Sequence, residues 1–286
     1  MTSTPEYRYQ PLSGRDIAAQ LDKGLQLSAT DLRTGYGIIP RLEILSNNGG
    51  HGPSKQYVGL KQKVGTKLGF EVNTHFVDSS DQLREMVHDF NTDKNVHGII
   101  VQLPLKDGEA PEEVVNHIAA KKDVDGLGRR PEFDPATPSA ILKLLHGHGI
   151  IYHHKPTALV GRGKLVGAPL YRMMREQGAR HIQVIDEFTS AEEKKAILND
   201  AFVVISAVGK KVLDATSFDD YTRPKVIVDA GTAEEGNVIV GDVTDELREA
   251  MPEHWCATDK IGGVGPLTIR RLLRNVALAA ESRIDE

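Results

Sequence analysis

A single cysteine, Cys256, cannot close an intramolecular disulfide, and a zinc site would need its other ligands elsewhere, so the chain suits a reducing compartment. Residues Met1 to Gly14 carry neither a basic stretch nor an apolar core, which argues against a secretory signal. No apolar run approaches the roughly 18 residues of a membrane span. Lys and Arg number 35 against 40 Asp and Glu, a formal charge of −5, and no segregated basic face offsets it. Tracking a nucleic-acid backbone needs the opposite balance. No internal repeat or low-complexity tract is evident. The expectation left standing is a soluble cytoplasmic protein with neither membrane nor nucleic acid as partner.

What is present is a chain of 286 residues, 40% hydrophobic and 26% charged, long enough for two domains. Short aliphatic runs alternate with helix-period segments, the pattern of an α/β protein with mainly parallel strands. The first series places strands at Leu42 to Leu45, Val72 to Val77 and Gly98 to Gln102, with helices near Ser54 to Leu68 and Ser80 to Asn91. The second places strands at Ala158 to Val160, Ile182 to Ile185, Phe202 to Ala207 and Lys225 to Asp229. Each run is unbroken rather than alternating, as when helices cover both faces of a sheet. Between the series, Asp134-Pro135-Ala136-Thr137-Pro138 should break one element and start a helix through Leu145. Ser46 to Gly52 reads as a flexible loop. Pro266 to Glu281 is an amphipathic helix, with Ile269, Leu272, Leu273 and Val276 on one face and Pro266 in its first turn.

After the strand ending at Val160, Gly161, Gly163 and Gly167 form G-x-G-x-x-x-G, one residue longer than the usual dinucleotide fingerprint. The glycines permit a tight turn and close approach to a pyrophosphate, and a helix beginning near Leu165 would offer its amide groups. A plain strand-to-helix turn is the alternative. Asp186 ends the next strand, near the offset at which a carboxylate binds the adenosine ribose. With Glu187 it would repel a 2′-phosphate, which favours NAD over NADP; the alternative is an acidic cap for a helix near Ala191. Arg162 argues the other way, since a guanidinium at this turn can bind phosphate.

Tyr57 and Lys61 lie four apart and share one face of their helix, with Ser54 as an N-cap. On spacing alone they would more often be an amphipathic surface pair than a site. Gln102 places an amide at the carboxyl edge of the first sheet, where open α/β folds bind ligands. Lys122-Asp123-Val124-Asp125-Gly126 supplies two carboxylates before a turn, or simply a solvated acidic turn.

Six blocks taken together carry a resemblance. They are Tyr57-Val58-x-x-Lys61, Val101-Gln102-Leu103-Pro104-Leu105, Lys122 to Gly126, Pro135-x-Thr137-Pro138, Val160 to Pro169 and Gly262-Gly263-Val264-Gly265-Pro266-x-Thr268. In their order and spacing over nearly the whole chain, they resemble the methylenetetrahydrofolate dehydrogenase/methenyltetrahydrofolate cyclohydrolase family. The resemblance implies two α/β domains flanking a cleft: a folate-binding catalytic domain at 1–137, rejoined by the helix 266–286, and a Rossmann-like NAD(P)-binding domain at 138–265. It implies a homodimer acting on tetrahydrofolate derivatives. The chemistry is oxidation of 5,10-methylenetetrahydrofolate with NAD or NADP, then hydrolysis of the methenyl cation to 10-formyltetrahydrofolate.

Carried onto this sequence, Lys61 is the central group of the hydrolysis, Gln102 bonds it, Tyr57 lies along the aminobenzoyl ring and Asp125 binds the pterin. Leu103, Gly262, Gly263, Pro266 and Thr268 join Tyr57, Gln102 and Asp125 around the folate. Gly161, Arg162, Gly163, Val166, Gly167, Asp186, Glu187, Ala207 and Val208 hold the nucleotide. The chain departs from the family at Gly163, usually Ser, at Asp186-Glu187-Phe188, usually His-Ser-Arg/Lys, at Ala136, often Cys, and at Asp259-Lys260-Ile261, usually Pro-Val-Pro. The last change puts the rigidity of the nicotinamide wall in question. The Ser46 to Gly52 loop lacks the family's Gly-Asp-x-Pro-Ala-Ser. His146, His148, His153 and His154 cluster without cysteine or carboxylate partners, and no metal is expected there. A single-activity enzyme and a silent folate- or nucleotide-binding protein are the competing readings.

Overall fold

The computed structural model describes residues 11–48, 52–235 and 238–284. Of the loop expected at Ser46 to Gly52, positions 49–51 lie outside the described residues. The chain forms two compact units. One comprises Ala18–Ser139 and Thr268–Glu286; the other comprises Ala140–Leu267 with the segment ending at Ile17.

The first unit opens with α1 (Gly14–Tyr36), β1 (Arg41–Ser46), α2 (Gly52–Lys67), β2 (Glu71–Phe76), α3 (Ser80–Thr92), β3 (Gly98–Val101) and the single turn α4 (Glu112–Val115). The strands form a parallel sheet in the order β2-β1-β3. Its two faces explain the unbroken apolar strands. Leu42, Ile44 and Ile100 pack with Leu25 and Ala29 of α1, Val58 of α2 and a C-terminal helix contributing Leu272, Leu273 and Val276. Leu45, Ile99 and Val101 face the other way, against Leu83 and Val87 of α3 and Val114 of α4. A strand buried on both faces has no polar side to alternate. Ser79 caps α3 by accepting the Gln82 N–H. Ser54 is not a cap: α2 already begins at Gly52, with Pro53 in its first turn, where a missing N–H costs nothing.

The chain continues through α5 (Ala136–Gly147), β4 (Thr157–Val160), α6 (Gly167–Glu176), β5 (Ile182–Ile185), α7 (Ala191–Asp200), β6 (Val203–Ser206) and β7 (Val226–Asp229). It ends with the hairpin β8 (Ala233–Glu235) and β9 (Val238–Val240), then α8 (Asp245–Ala250), β10 (Cys256–Ala257) and α9 (Val264–Glu281). The second sheet is parallel in the order β10-β7-β6-β4-β5. Because β4 is followed in sequence by β5 on one side and flanked by β6 on the other, the winding reverses between β4 and β6. Ligands of open α/β sheets sit at that reversal. The sheet rests on an aromatic cluster in which fully buried Trp255 stacks on Tyr221 and meets Phe218 edge-on, each at 5.0 Å between ring centroids. The Trp255 indole donates to the Arg223 carbonyl at 2.8 Å, so the ring is buried without an orphaned N–H. No helix among the described residues is long and apolar enough to cross a membrane.

Candidate active site

Helical spacing in α2 puts Tyr57 and Lys61 one turn apart, and the surface-pair alternative does not hold, because Lys61 is only 6% exposed. Its ammonium donates to Gln102 Oε1 at 2.9 Å and lies 4.9 Å from the centroid of the Tyr57 ring. Gln102 directly follows β3. Its backbone N–H donates to the Leu45 carbonyl at 2.8 Å, and its amide nitrogen donates to the Leu103 carbonyl at 2.8 Å, so its carbonyl oxygen is aimed at the lysine. Tyr57 hydrogen-bonds Thr268 of α9, which places Thr268 at the same site. Asp125 lies close enough to act electrostatically on both Tyr57 and Lys61.

The charges respond to burial first. Loss of water lowers the Lys61 pKa, with Asp125 partly restoring it, and burial raises that of Asp125, with Lys61 opposing. Burial also pushes the Tyr57 phenol up, and the Asp125 charge adds to the rise. A lysine held partly toward its neutral form beside a carboxylate is equipped to take a proton.

The loop carrying Asp125 is not a solvated turn. Lys122 and Asp123 are each 2% exposed. Asp123 accepts the N–H groups of Gly126 and Leu127 on one oxygen, at 3.1 and 3.4 Å, and that of Gly128 on the other, at 2.7 Å. Asn275 of α9 donates to the Val124 and Asp134 carbonyls at 2.9 and 3.0 Å. Sequence reasoning quoted Asp123 without giving it work and missed Asn275. The available signal for Asn275 was a polar residue between Leu272, Leu273 and Val276 on the apolar face of α9.

In the other unit, the glycine turn divides its labour. Gly161 has φ +96°, and a Cβ there would lie 2.9 Å from the Ala207 carbonyl oxygen and 3.0 Å from Val208 Cγ2. A Cβ on Gly167 would come within 2.0 Å of the Gly161 carbonyl oxygen, whereas one on Gly163 would meet nothing within 4 Å. The first and third glycines are required by packing; the second faces open space. The helix starts at Gly167 rather than near Leu165, because the residues after Gly163 are spent on the turn, and Val166 caps it without a side-chain bond. Arg162 is exposed beside it. Asp186 follows β5, and its Oδ1 accepts the Phe188 N–H at 3.1 Å and the Thr189 hydroxyl at 3.3 Å. The acidic-cap alternative fails, since Ser190 caps α7 by accepting the Glu193 N–H. Glu187 is exposed next to Asp186. An uncapped helix start, open space over Gly163 and a carboxylate whose Oδ2 accepts no bond among the described residues are groups that could hold the pyrophosphate and ribose of a dinucleotide.

The Asp259 to Ile261 segment is tied despite lacking proline. Arg15 donates to the Ile261 carbonyl at 2.8 Å, and Lys260 pairs with Asp245 at 2.7 Å. Gly262 has φ +105°, its carbonyl accepts the Gly14 N–H at 2.9 Å, and a Cβ on Gly263 would lie 2.9 Å from Thr258 Cβ. Pro266 sits in the first turn of α9. Of the histidines, His146 and His153 stack with Tyr152, while His148 donates from Nε2 to the Ser13 carbonyl at 3.0 Å.

Comparison with known proteins agrees with both halves. Residues 12–125 match the model of the tetrahydrofolate dehydrogenase/cyclohydrolase catalytic domain, and residues 135–284 match that of the NAD(P)-binding domain. The bifunctional protein FolD of Macrococcus caseolyticus is 33% identical over 283 residues, covering 94% of this chain and 97% of that protein. The methylenetetrahydrofolate dehydrogenase-cyclohydrolase of Trypanosoma brucei, solved with NADP and an inhibitor, superposes with a TM-score of 0.86 at 25% identity, covering 98% and 99% of the two chains. The NAD-dependent 5,10-methylenetetrahydrofolate dehydrogenase of Saccharomyces cerevisiae shares the fold, at a TM-score of 0.77 and 20% identity over 97% and 98% of the chains. The chain belongs to the tetrahydrofolate dehydrogenase/cyclohydrolase family.

Proposed function

We propose that this enzyme of folate one-carbon metabolism oxidises 5,10-methylenetetrahydrofolate with NAD in preference to NADP, and that Lys61 drives the hydrolysis of the methenyl product to 10-formyltetrahydrofolate. The observation that carries the reading is the bond from buried Lys61 to Gln102 beside Asp125.

A bound nicotinamide would supply the hydride acceptor, and the residues at the turn after β4 would hold the pyrophosphate that carries it. In the hydrolysis, water adds to the methenyl carbon and gives up a proton. The Lys61 amine takes that proton, and Gln102 Oε1, by accepting one of its N–H groups, turns the remaining lone pair toward the water; the lysinium then returns the proton to N5 as the carbon–N5 bond breaks and the new hydroxyl gives its proton to solvent, leaving the formyl group on N10. Asp125 accepts the amino and ring N–H donors of the pterin and favours the lysinium that forms. Tyr57, braced by Thr268, lies along the aminobenzoyl ring. Gln102 holds the amine without adding a charge of its own.

Preference for NAD follows from two carboxylates, Asp186 and Glu187, at the end of β5. A ribose hydroxyl can donate to Asp186, whereas a 2′-phosphate would meet both negative charges. Arg162 is the opposing charge at this turn.

The test pairs two variants. Lys61→Met is expected to slow methenyl hydrolysis by about 10²- to 10⁴-fold while the NAD dissociation constant, read by calorimetry, stays at the wild-type value. Asp186→Ala is expected to raise the Michaelis constant for NAD by about ten-fold and to narrow the gap to NADP. Hydrolysis undiminished in Lys61→Met removes that residue from the chemistry, and an unchanged NAD constant in Asp186→Ala removes the ribose contact.

A further inference from the structure

Behind the nucleotide turn lies a pair of buried carboxylates that the chemistry above does not use. Asp242 is fully buried and accepts four hydrogen bonds. Its Oδ2 receives the Ser206 hydroxyl at 2.6 Å and the Val208 N–H at 2.7 Å, and its Oδ1 receives the N–H groups of Gly209 and Lys210 at 2.9 and 3.0 Å. Three consecutive amides leaving β6 therefore converge on one side chain more than thirty positions later. Asp229, the last residue of β7, stands behind it. Asp229 accepts the Asp242 N–H at 2.9 Å, the Val243 N–H at 3.1 Å and the Arg248 guanidinium at 2.9 Å.

Space for these carboxylates is reserved by two glycines. A Cβ on Gly231 would lie 1.8 Å from Asp242 Oδ1, and one on Gly241 would lie 2.1 Å from Asp229 Oδ2. The network then extends to the segment that begins at Thr258. Arg248 donates to the Thr258 carbonyl at 2.8 Å, the Thr258 hydroxyl accepts the Asp229 N–H at 2.9 Å, and Thr258 packs under Gly263. The turn held by Asp242 abuts Gly161, which is where the sheet's winding reverses.

We propose that Asp242, backed by Asp229 and Arg248, is the positioning residue of the nicotinamide pocket, fixing the turn 207–210 against Gly161 and against the Thr258 to Gly263 segment. The proposal rests on the reading that the dinucleotide sits at the β4/β6 reversal. A carboxylate accepting four donors has one usable orientation, and the loop whose amides it collects is held equally firmly. An amide in its place presents N–H to N–H on one side, so at least one loop donor loses its partner.

Asp242→Asn is to be compared with the milder Ser206→Ala and with Val208→Asp, which puts a negative charge directly at the turn. NAD affinity is measured by calorimetry on each full-length protein, alongside dehydrogenase kinetics and methenyl hydrolysis without nucleotide. The expected result is an NAD dissociation constant raised about ten-fold in Asp242→Asn and about two- to five-fold in Ser206→Ala, with hydrolysis within about two-fold of wild type. Wild-type NAD affinity in both Asp242→Asn and Ser206→Ala, with affinity lost in Val208→Asp, overturns the positioning role and keeps the site. Wild-type affinity in all three means that the nucleotide sits elsewhere, and the underlying reading fails. Parallel loss of hydrolysis and NAD affinity in both Asp242→Asn and Ser206→Ala assigns the network to the fold alone and also overturns the proposal.

Discussion

Each unit of the chain uses a buried aspartate to collect three consecutive backbone N–H groups and a buried lysine to collect the carbonyls at the end of a helix, but it does so over different spans of sequence. In the unit that holds Lys61 the pair is adjacent. Lys122 donates to the Phe90 and Asp93 carbonyls, both at 2.6 Å, and Asp123 gathers the N–H groups of the next few residues. In the nucleotide-side unit the pair is split. Lys225 donates to the carbonyls of Leu198, Asn199 and Ala201 at 2.9, 2.8 and 2.7 Å, and Asp242 reaches back to the turn after β6. One arrangement is a local motif that shapes its own loop. The other is assembled only when β6, β7 and the segment after β9 are in place, so its geometry reports on the whole sheet.

The sharpest way to break this comparison is Asp123→Ala. If the local aspartate serves only the loop bearing Asp125, methenyl hydrolysis falls about 10- to 100-fold while the NAD dissociation constant does not move. That is the mirror image of the outcome expected for Asp242→Asn. A matching loss of NAD affinity would show that the two anchors are not independent.

Next in size are the lysines. Lys225→Met removes the lysine donor from three carbonyls and Lys122→Met from two, of which that of Asp93 keeps the Val96 N–H, so denaturant unfolding should show a loss of about 2–3 kcal/mol for the first and about 1–2 kcal/mol for the second. Equal losses would rule out the number of carbonyls as the cause. Both lysines carry a sign that pH can check. Burial holds each at a pKa of about 8, below the ordinary 10.5. Between those values the unfolded chain binds more protons than the folded one, so stability rises with pH over this window, and falls as pH drops through about 8. Either methionine variant should flatten that rise.

The smallest expected effect concerns Lys61. Hydrolysis should rise with pH as Lys61 loses its proton, with a midpoint below that of an ordinary lysine. Asp125 is the group that holds the midpoint up. Asp125→Asn should therefore displace the profile of kcat toward lower pH, and an unmoved profile would show that the carboxylate acts on substrate alone.

The same contrast explains what could be read in advance. Seven strands of the two sheets are legible to within about a residue, and β3, β4, β6 and β7 show why, since a doubly covered strand is an aliphatic run with no polar alternation; Glu43 interrupts β1, and the edge strands β2 and β5 carry polar residues and are only partly buried. The Lys61 to Gln102 pairing is legible only through the resemblance, since helical spacing alone favours a surface pair for Tyr57 and Lys61. The helix α1 was not expected: its buried face in the first unit is built from Ala18, Leu25, Ala29 and Leu32, and two alanines give a weak periodic signal. The hairpin β8/β9, α8 and the two-residue β10 are too short for periodicity to show. Asp242 was invisible for a different reason. Its partners lie 32 to 36 positions away, and no local pattern encodes them.

The tryptophan cluster has a practical consequence. Trp255 is the only tryptophan in the chain, and it lies sealed against Tyr221 and Phe218 in the nucleotide-binding half. Its emission is therefore an optical gauge of that half alone, whereas helical circular dichroism sums over both. Melting curves recorded by the two signals will coincide when the halves unfold together and separate when one outlasts the other.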